Sequence, residues 1–343
     1  MQKNTYVRDL TPGETTRDVF LLSEAQRNQA RNGRPYWKLV LQDSSGRVDA
    51  MVWSPLSEKF EQLEPGTFVI IQGQVGSFNE RLQVRVDQME LLEPGHGFDM
   101  AHFLPCSAIP PDILMEALED LVLEHIEHKP LRTLVRRVLK DEEIRPRLLR
   151  ATGAKVVHHA YLGGLLEHTL AVARLCMAVC DQYANLDRQI LLAGAIFHDL
   201  GKAWELNGGA DNDYTDAGRL LGHIELGLEQ LNLFLAKSRN LEPEIALHLK
   251  HLVLSHHGEH EFGAPVRPKS AEAFVLHLAD MMDSKLNIIA GALDGLEECD
   301  GPAWTPYLRY LERPIFRPVP TPDRNSKNRN SNPENQCFLP LKA

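Results

Sequence analysis

Residues 190–202 read ILLAGAIFHDLGK, an apolar run that ends on the polar trio His198, Asp199 and Lys202. A stretch that is apolar on every side reads as a helix enclosed by protein. An adjacent imidazole and carboxylate there cannot stay unpaired without a cost of several kcal/mol. A hydrogen-bonded core pair would satisfy them. Metal coordination would too, because neutral imidazole and carboxylate are ligands for divalent transition ions. Gly201 can end the helix and free the chain beside Lys202. Lys202 itself has two readings: a cation favoured by the helix C-terminus, or a charge placed to neutralise a reacting phosphate.

The trio is not isolated. His168, His223, the pair His256-His257 and Asp280 each sit among apolar neighbours on further predicted helices, so each is expected to point inward. In a helical bundle such side chains converge on one interior cavity, the usual construction of a dinuclear centre. With His198 and Asp199 they make seven candidate ligands, more than one ion needs if water and substrate must also bind. They suffice for two ions bridged by Asp199, about 3.5 to 4 Å apart. A site of that kind activates water near neutral pH and clamps phosphoryl oxygens for in-line attack, which marks Asp199 and Lys202 as the catalytic candidates.

The N-terminal region has a different rhythm. Residues 16–22, 36–42, 48–53, 67–78 and 81–91 alternate like strands, with turns at 43–46 and 79–80 and a short helix expected at 56–63. Five strands with a helix between the third and fourth match the order of an OB-fold barrel. Alternation places Trp37, Leu39 and Leu41 inside and Tyr36, Lys38 and Trp53 outside, where aromatic rings and a cation suit single-stranded nucleic acid. Arg27, Arg31, Arg34 and Lys38 occur with no acidic residue from Ala25 to Gln42, which reads as a basic loop beside that face. A solvated hairpin tip or a protein contact surface is the competing reading.

Composition narrows the class. The net charge of −10 argues against an indiscriminate polyanion binder, and the acidic excess lies between the barrel and the C-terminal stretch. The five cysteines contain no Cys-x-x-Cys pair, so neither a disulfide framework nor a thiolate zinc site is indicated. With no signal peptide and no apolar stretch long enough for a membrane, a cytoplasmic protein is expected. The domains expected are an OB-fold at 1–95, a linker and leading helices at 96–155, a helical domain at 156–312, and a basic disordered tail at 313–343.

His168, His198-Asp199 and Asp280 match the H, HD, D signature of the HD-domain phosphohydrolases, an all-helical metal-dependent superfamily. His223 and His256 resemble the addition that marks its two-metal branch. The segments HHAYLGGLLEHT at 158–169, SHHGE at 255–259, FGAPVRPK at 262–269 and LHLAD at 276–280, followed by Asp283 and Lys285, resemble specifically the bacterial YhaM-type 3′→5′ exoribonucleases. That family also joins an N-terminal OB-fold to a C-terminal HD domain, so the resemblance spans residues 1–312. It implies a metal-dependent enzyme that trims single-stranded RNA, and in some members single-stranded DNA, from the 3′ end. It also implies two divalent ions, Mn²⁺ first, with Co²⁺, Fe²⁺, Mg²⁺ or Zn²⁺ as alternatives. Carried over by position, His168, His198, Asp199 and Asp280 would hold one ion and Asp199, His223 and His256 the other. His257 is left open as a ligand or a supporting partner. Trinuclear HD-GYP relatives place a Glu one turn before the first His, where Gly164 stands here. Arg267 and Lys269 are phosphate-contact candidates. Two other functions fit the bare HD signature: hydrolysis of free nucleotides or cyclic dinucleotides, and a regulator that binds nucleic acid without catalysis.

Overall fold

The computed structural model describes residues 3–79, 81–92, 98–155, 159–208, 212–296 and 301–319. Glu80 of the expected turn, the 94–97 segment and the tail beyond Val319 lie outside these. The described residues form a barrel unit that runs to Cys106 and a helical unit that begins at Ser107.

The barrel closes in the order β1-β2-β3-β5-β4, with β4 pairing back onto β1. Its strands are β1 (Thr15–Gln29), β2 (Pro35–Asp43), β3 (Gly46–Val52), β4 (Phe68–Phe78) and β5 (Arg81–Leu91). Phe20, Leu22, Trp37, Leu39, Leu41, Val48, Ala50, Val52, Ile71 and Val84 fill the interior, as strand alternation requires. Three expectations need correction. The helix at 56–63 is only a 3₁₀ turn at Leu56–Lys59, because Phe60 is already extended. The basic loop is not a loop: β1 continues to Gln29, pairs with β2, and leaves only residues 30–34 as the turn. The barrel unit also does not stop at residue 95, since the Ser44 and Gln42 N–H groups donate to the carbonyls of His102 and Phe103.

The helical unit contains α1 (Pro111–His125), α2 (Lys129–Leu139), α3 (Ile144–Arg150), α4 (Gly164–Gln182), α5 (Arg188–Phe197), α6 (Lys202–Glu205), α7 (Asp216–Leu235), α8 (Pro243–Ser255) and α9 (Ala271–Asp294). The apolar run of the sequence becomes α5, which is packed by α1, α4, α8 and α9. Every residue from Ile190 to Phe197 is buried, with Leu118, Val172, Cys176, Leu252 and Leu276 in the same core. Side-chain caps define where the key helices begin. Asp187 accepts from the Gln189 and Ile190 N–H groups, Thr215 Oγ1 from Gly218 N–H, and Ser270 Oγ from Ala273 N–H. Each cap contributes about 1 kcal/mol.

α7 begins at Asp216, where Thr215 caps it, and the chain kinks through Gly222 at φ +75°. A disordered tail from residue 313 is also too early. β7 (Phe316–Arg317) pairs with β6 (Ala303–Trp304), and Arg317 Nη1 donates to the Leu296 carbonyl. Among the described residues no helix is long and apolar enough to cross a membrane. Cys106, Cys176 and Cys180 are free thiols.

Candidate metal centre

The chain keeps right-handed helical angles through His198 and Gly201 after α5 ends. Gly201 therefore does not end the helix as the sequence suggested: it stands in right-handed helical conformation at the start of α6. Its lack of a side chain serves another purpose: a Cβ would lie 1.9 Å from the His223 carbonyl oxygen and 2.5 Å from Gly227 N. The turn at 198–202 and α7 pack backbone to backbone, and this approach carries His223 to Asp199. The left-handed Gly222 immediately before it redirects α7 at that point.

Asp199 is the centre of the arrangement, and its two oxygens face two groups of residues. Toward Oδ2 lie His168 Nε2 and His198 Nε2, each at 3.4 Å, and Lys202 Nζ at 2.7 Å. His168 Nε2 is 3.2 Å from His198 Nε2 and 3.2 Å from Asp280 Oδ1. Toward Oδ1 lie His223 Nε2 at 3.4 Å and His256 Nε2 at 3.5 Å, with the His257 ring 4.3 Å from that of His256 and 5.0 Å from that of His223. Donor atoms of His168, His198 and Asp280 fall within 4.8 Å of one another, as do those of His223, His256 and His257. The structure thus brings together all seven ligand candidates and Lys202. They come from α4, α6, α7 and α9 and from the turns that follow α5 and α8.

The orientation of the rings follows from their outer nitrogens. His198 Nδ1 donates to the Ala195 carbonyl at 2.8 Å, His256 Nδ1 to the Val253 carbonyl at 2.7 Å, His168 Nδ1 to Asp283 Oδ2 at 2.7 Å and His223 Nδ1 to Glu205 Oε1 at 3.2 Å. In the neutral rings the proton is therefore on Nδ1, and Nε2 turns a lone pair toward Asp199. Asp199 Oδ1, His223 Nε2 and His256 Nε2 are buried without any hydrogen-bond partner. Three converging lone pairs in a buried site repel one another unless a cation lies between them, so the donor set fits a divalent transition ion.

The electrostatics point the same way. Burial opposes charge on His168, yet Asp199, Asp280 and Asp283 outweigh it and hold the ring well above the ordinary histidine pKa. Burial also pushes the Asp199 carboxyl up, but Lys202, His198 and His168 bring it well below the usual range. Asp280 is likewise held below that range by His168 and His198 against its burial. His257 is pushed down to about 3 by burial and by its neighbours His256 and His223, which keeps it neutral and able to donate a lone pair. Burial alone would lower Lys202, but Asp199, Asp280 and Glu205 raise it, so its ammonium persists. The side of the cluster at His168 and Lys202 therefore favours positive charge, while burial keeps His256 and His257 on the other side neutral.

Two supporting groups were assigned no role from the sequence. Asp283 Oδ2 accepts from His159 Nε2 at 2.9 Å as well as from His168, and His159 Nδ1 lies 2.9 Å from the Tyr161 hydroxyl. His159, His168 and Asp283 form a third buried cluster of potential donors. Burial and Asp283 raise the neighbouring Glu167 carboxyl to about 7, against a hydrogen bond from Tyr161. Glu205 accepts both the backbone N–H and the ring N–H of His223. Beside its place in the motif that carries the family resemblance, the local signal for Asp283 was its position one turn beyond Asp280 on the same helix face.

The remaining candidates lie apart from this cluster. Arg267 is paired with Glu259 at 2.7 Å on the surface, and Lys269 is exposed, its backbone N–H donating to His251. In the barrel, Tyr36 and Trp53 stack at 4.8 Å, and Lys38 lies 3.7 Å from Asp49 beside them. Arg31 and Arg34 flank the exposed hairpin tip. Arg27 leaves this face. It is opposite Trp37 in the ladder, its guanidinium lies 5.9 Å from the Trp37 ring, and it donates to the Glu61 carbonyl.

Residues 165–285 match the HD domain family, and residues 22–92 match the OB-fold nucleic acid binding domain family. A 3′-5′ exoribonuclease YhaM from Oceanobacillus iheyensis is 33% identical over 287 residues, 84% of this chain and 89% of that protein. The YhaM of Bacillus subtilis is 32% identical over 82% of this chain and 88% of its own, and that of Shouchella clausii 32% over 85% and 90%. Shared identity at this level across both units, together with the HD-type cluster, shows that the chain belongs to the YhaM family of 3′-5′ exoribonucleases.

Proposed function

We propose that the protein is a metal-dependent 3′→5′ exoribonuclease that hydrolyses single-stranded RNA, with single-stranded DNA as a further substrate, and that its centre holds two divalent ions. The observation that carries this reading is the set of buried, partnerless lone pairs on Asp199, His223 and His256 beside the His168, His198 and Asp280 cluster. His168, His198, Asp280 and Asp199 would hold one ion, and Asp199, His223, His256 and His257 the other. His257 is included because its Nδ1 donates to the Phe262 carbonyl and its donor atom falls within 4.8 Å of those of His223 and His256. The borderline donor set of imidazole and carboxylate suits Mn²⁺ and its first-row neighbours.

When bound, such ions supply Lewis acidity to a phosphodiester and lower the pKa of water. The chain's own residues do the rest. The carbonyls of Ala195 and Val253, with Asp283 and Glu205, lock the four rings so that Nε2 faces inward. Lys202, held on Asp199, keeps a positive charge at the site to offset the charge that builds on a pentacoordinate phosphate. The Tyr36 and Trp53 rings offer a stacking platform for unpaired bases, with Lys38, Arg31 and Arg34 as the nearby charges, so the barrel raises the local concentration of RNA ends.

The test is incubation of purified protein with 5′-labelled single-stranded RNA and Mn²⁺, Mg²⁺ or Zn²⁺ in turn. Stepwise shortening from the unlabelled end, lost in Asp199→Asn with RNA binding retained, is the expected result. Intact RNA beside rapid hydrolysis of free nucleotides or cyclic dinucleotides would overturn it.

A further inference from the structure

The outward face of α2 carries Lys129, Arg132, Thr133, Arg136 and Arg137, and with Lys140 just past its end they line a groove of about 440 Å³. Their spacing of three or four residues puts them on one helix face, while Leu131, Leu134, Val135, Val138 and Leu139 bury the other. This is a run of cations in a protein whose net charge is −10. Lys140 is paired with Glu119 at 3.0 Å, but among the described residues no carboxylate forms an ion pair with Lys129, Arg132, Arg136 or Arg137.

Helix stability does not account for the pattern. Arg136 and Arg137 in the last turn do complement the helix dipole. Lys129 stands at the first helical position, where a cation opposes the dipole, and the first turn has no acid. The groove has no aromatic lining on which a base could stack. It is dominated by arginine, whose planar fork matches phosphate oxygens. From Lys129 to Lys140 the helix rises about 16 Å, so the charges form a line and not a single-ion cup.

We propose that this face of α2 binds the sugar-phosphate backbone of single-stranded RNA, as a contact additional to the barrel face and the metal centre. The identity of the polyanion rests on the exoribonuclease reading. The grip is electrostatic and indifferent to base sequence, which suits an enzyme that must shorten RNA through every sequence. α2 packs on α7, the helix that supplies His223, so the track belongs to the same unit as the metal centre.

The test is the doubly substituted full-length chain, Arg136→Gln with Arg137→Gln, both exposed positions where glutamine keeps helix propensity. Affinity for a labelled single-stranded RNA is measured without metal between about 50 and 200 mM salt. Loss of two phosphate contacts flattens the slope of log K against log salt by about 1.4 and weakens binding roughly 10- to 30-fold near 0.1 M salt. The thermal midpoint should stay at the parent value, since surface changes of this kind shift stability by about 0.5 kcal/mol or less. A parent-like slope and affinity in the variant overturns the track while leaving exoribonuclease activity standing. An unsubstituted protein that neither binds nor shortens RNA would remove the exoribonuclease reading itself, and the track with it.

Discussion

Asp283→Asn is the sharpest probe of how the centre is built. One oxygen of Asp283 accepts from both His168 Nδ1 at 2.7 Å and His159 Nε2 at 2.9 Å, and its side chain is 12% exposed. Burial pushes this carboxyl up, but the hydrogen bonds from His159 and His168 prevail and hold it well below the ordinary carboxylate range, so the acceptor is charged. Asparagine keeps the shape and one acceptor oxygen but removes the charge. Hydrogen bonds to a charged acceptor are worth about 1.5 to 3 kcal/mol, against about 1 for a neutral one. Two such bonds therefore lose roughly 1 to 4 kcal/mol together. Loss of a carboxylate that orients a metal-bound histidine typically costs about 10- to 100-fold in metal affinity, which falls within that range. Calorimetric titration of chelator-stripped protein with Mn²⁺ should show the dissociation constant raised by that factor, and excess Mn²⁺ should restore most of the RNA-trimming rate. A variant that stays folded with Mn²⁺ affinity within about twofold of the parent would refute the claim that Asp283 sets the His168 ring, because the expected range starts at about tenfold.

Three further outcomes follow from the geometry. Glu167 has its carboxyl raised to about 7, so between the unfolded value near 4.5 and pH 7 the folded chain holds the proton that the unfolded chain has lost. That costs stability as pH rises, approaching about 3 kcal/mol above pH 7. In chelator, urea unfolding of Glu167→Gln should lack this decline between pH 5 and 7, and an undiminished decline would contradict the assignment. Gly201→Ala places a Cβ against the His223 carbonyl, a clash with backbone that cannot relax by rotamer change. It should destabilise the protein by about 1 to 3 kcal/mol and weaken Mn²⁺ binding together, as read by thermal melting and metal titration. Trp53→Ala removes one ring of the Tyr36 stack and should weaken RNA binding by about 1 to 3 kcal/mol with the salt slope unchanged, the opposite signature to the α2 substitutions.

The residues that the sequence made legible are those whose environment is local. An imidazole and a carboxylate at the end of an all-apolar helix, with a histidine or aspartate embedded in each of the other apolar helices, needed a shared interior partner wherever those helices packed. Strand alternation likewise placed Trp37 inside and Tyr36, Lys38 and Trp53 outside before any pairing was known.

What escaped were positions that depend on register or on long sequence separation. The irregularity between Leu22 and Glu24 inserts one residue into β1 and reverses its alternation, so Arg27 lies opposite Trp37 instead of joining Lys38. His159 and Asp283 are 124 residues apart, and no periodicity links them.

By itself, then, the sequence determined which residues must be buried and which of them could not remain unsatisfied there, because hydrophobic periodicity and the cost of an unpaired polar group act along a single element. Tertiary structure alone decided which oxygen of Asp199 faces which histidines, that α7 crosses against Gly201, and that Asp283 locks the ring of His168. These are relations between elements, set by close packing at distances that no single helix or strand encodes.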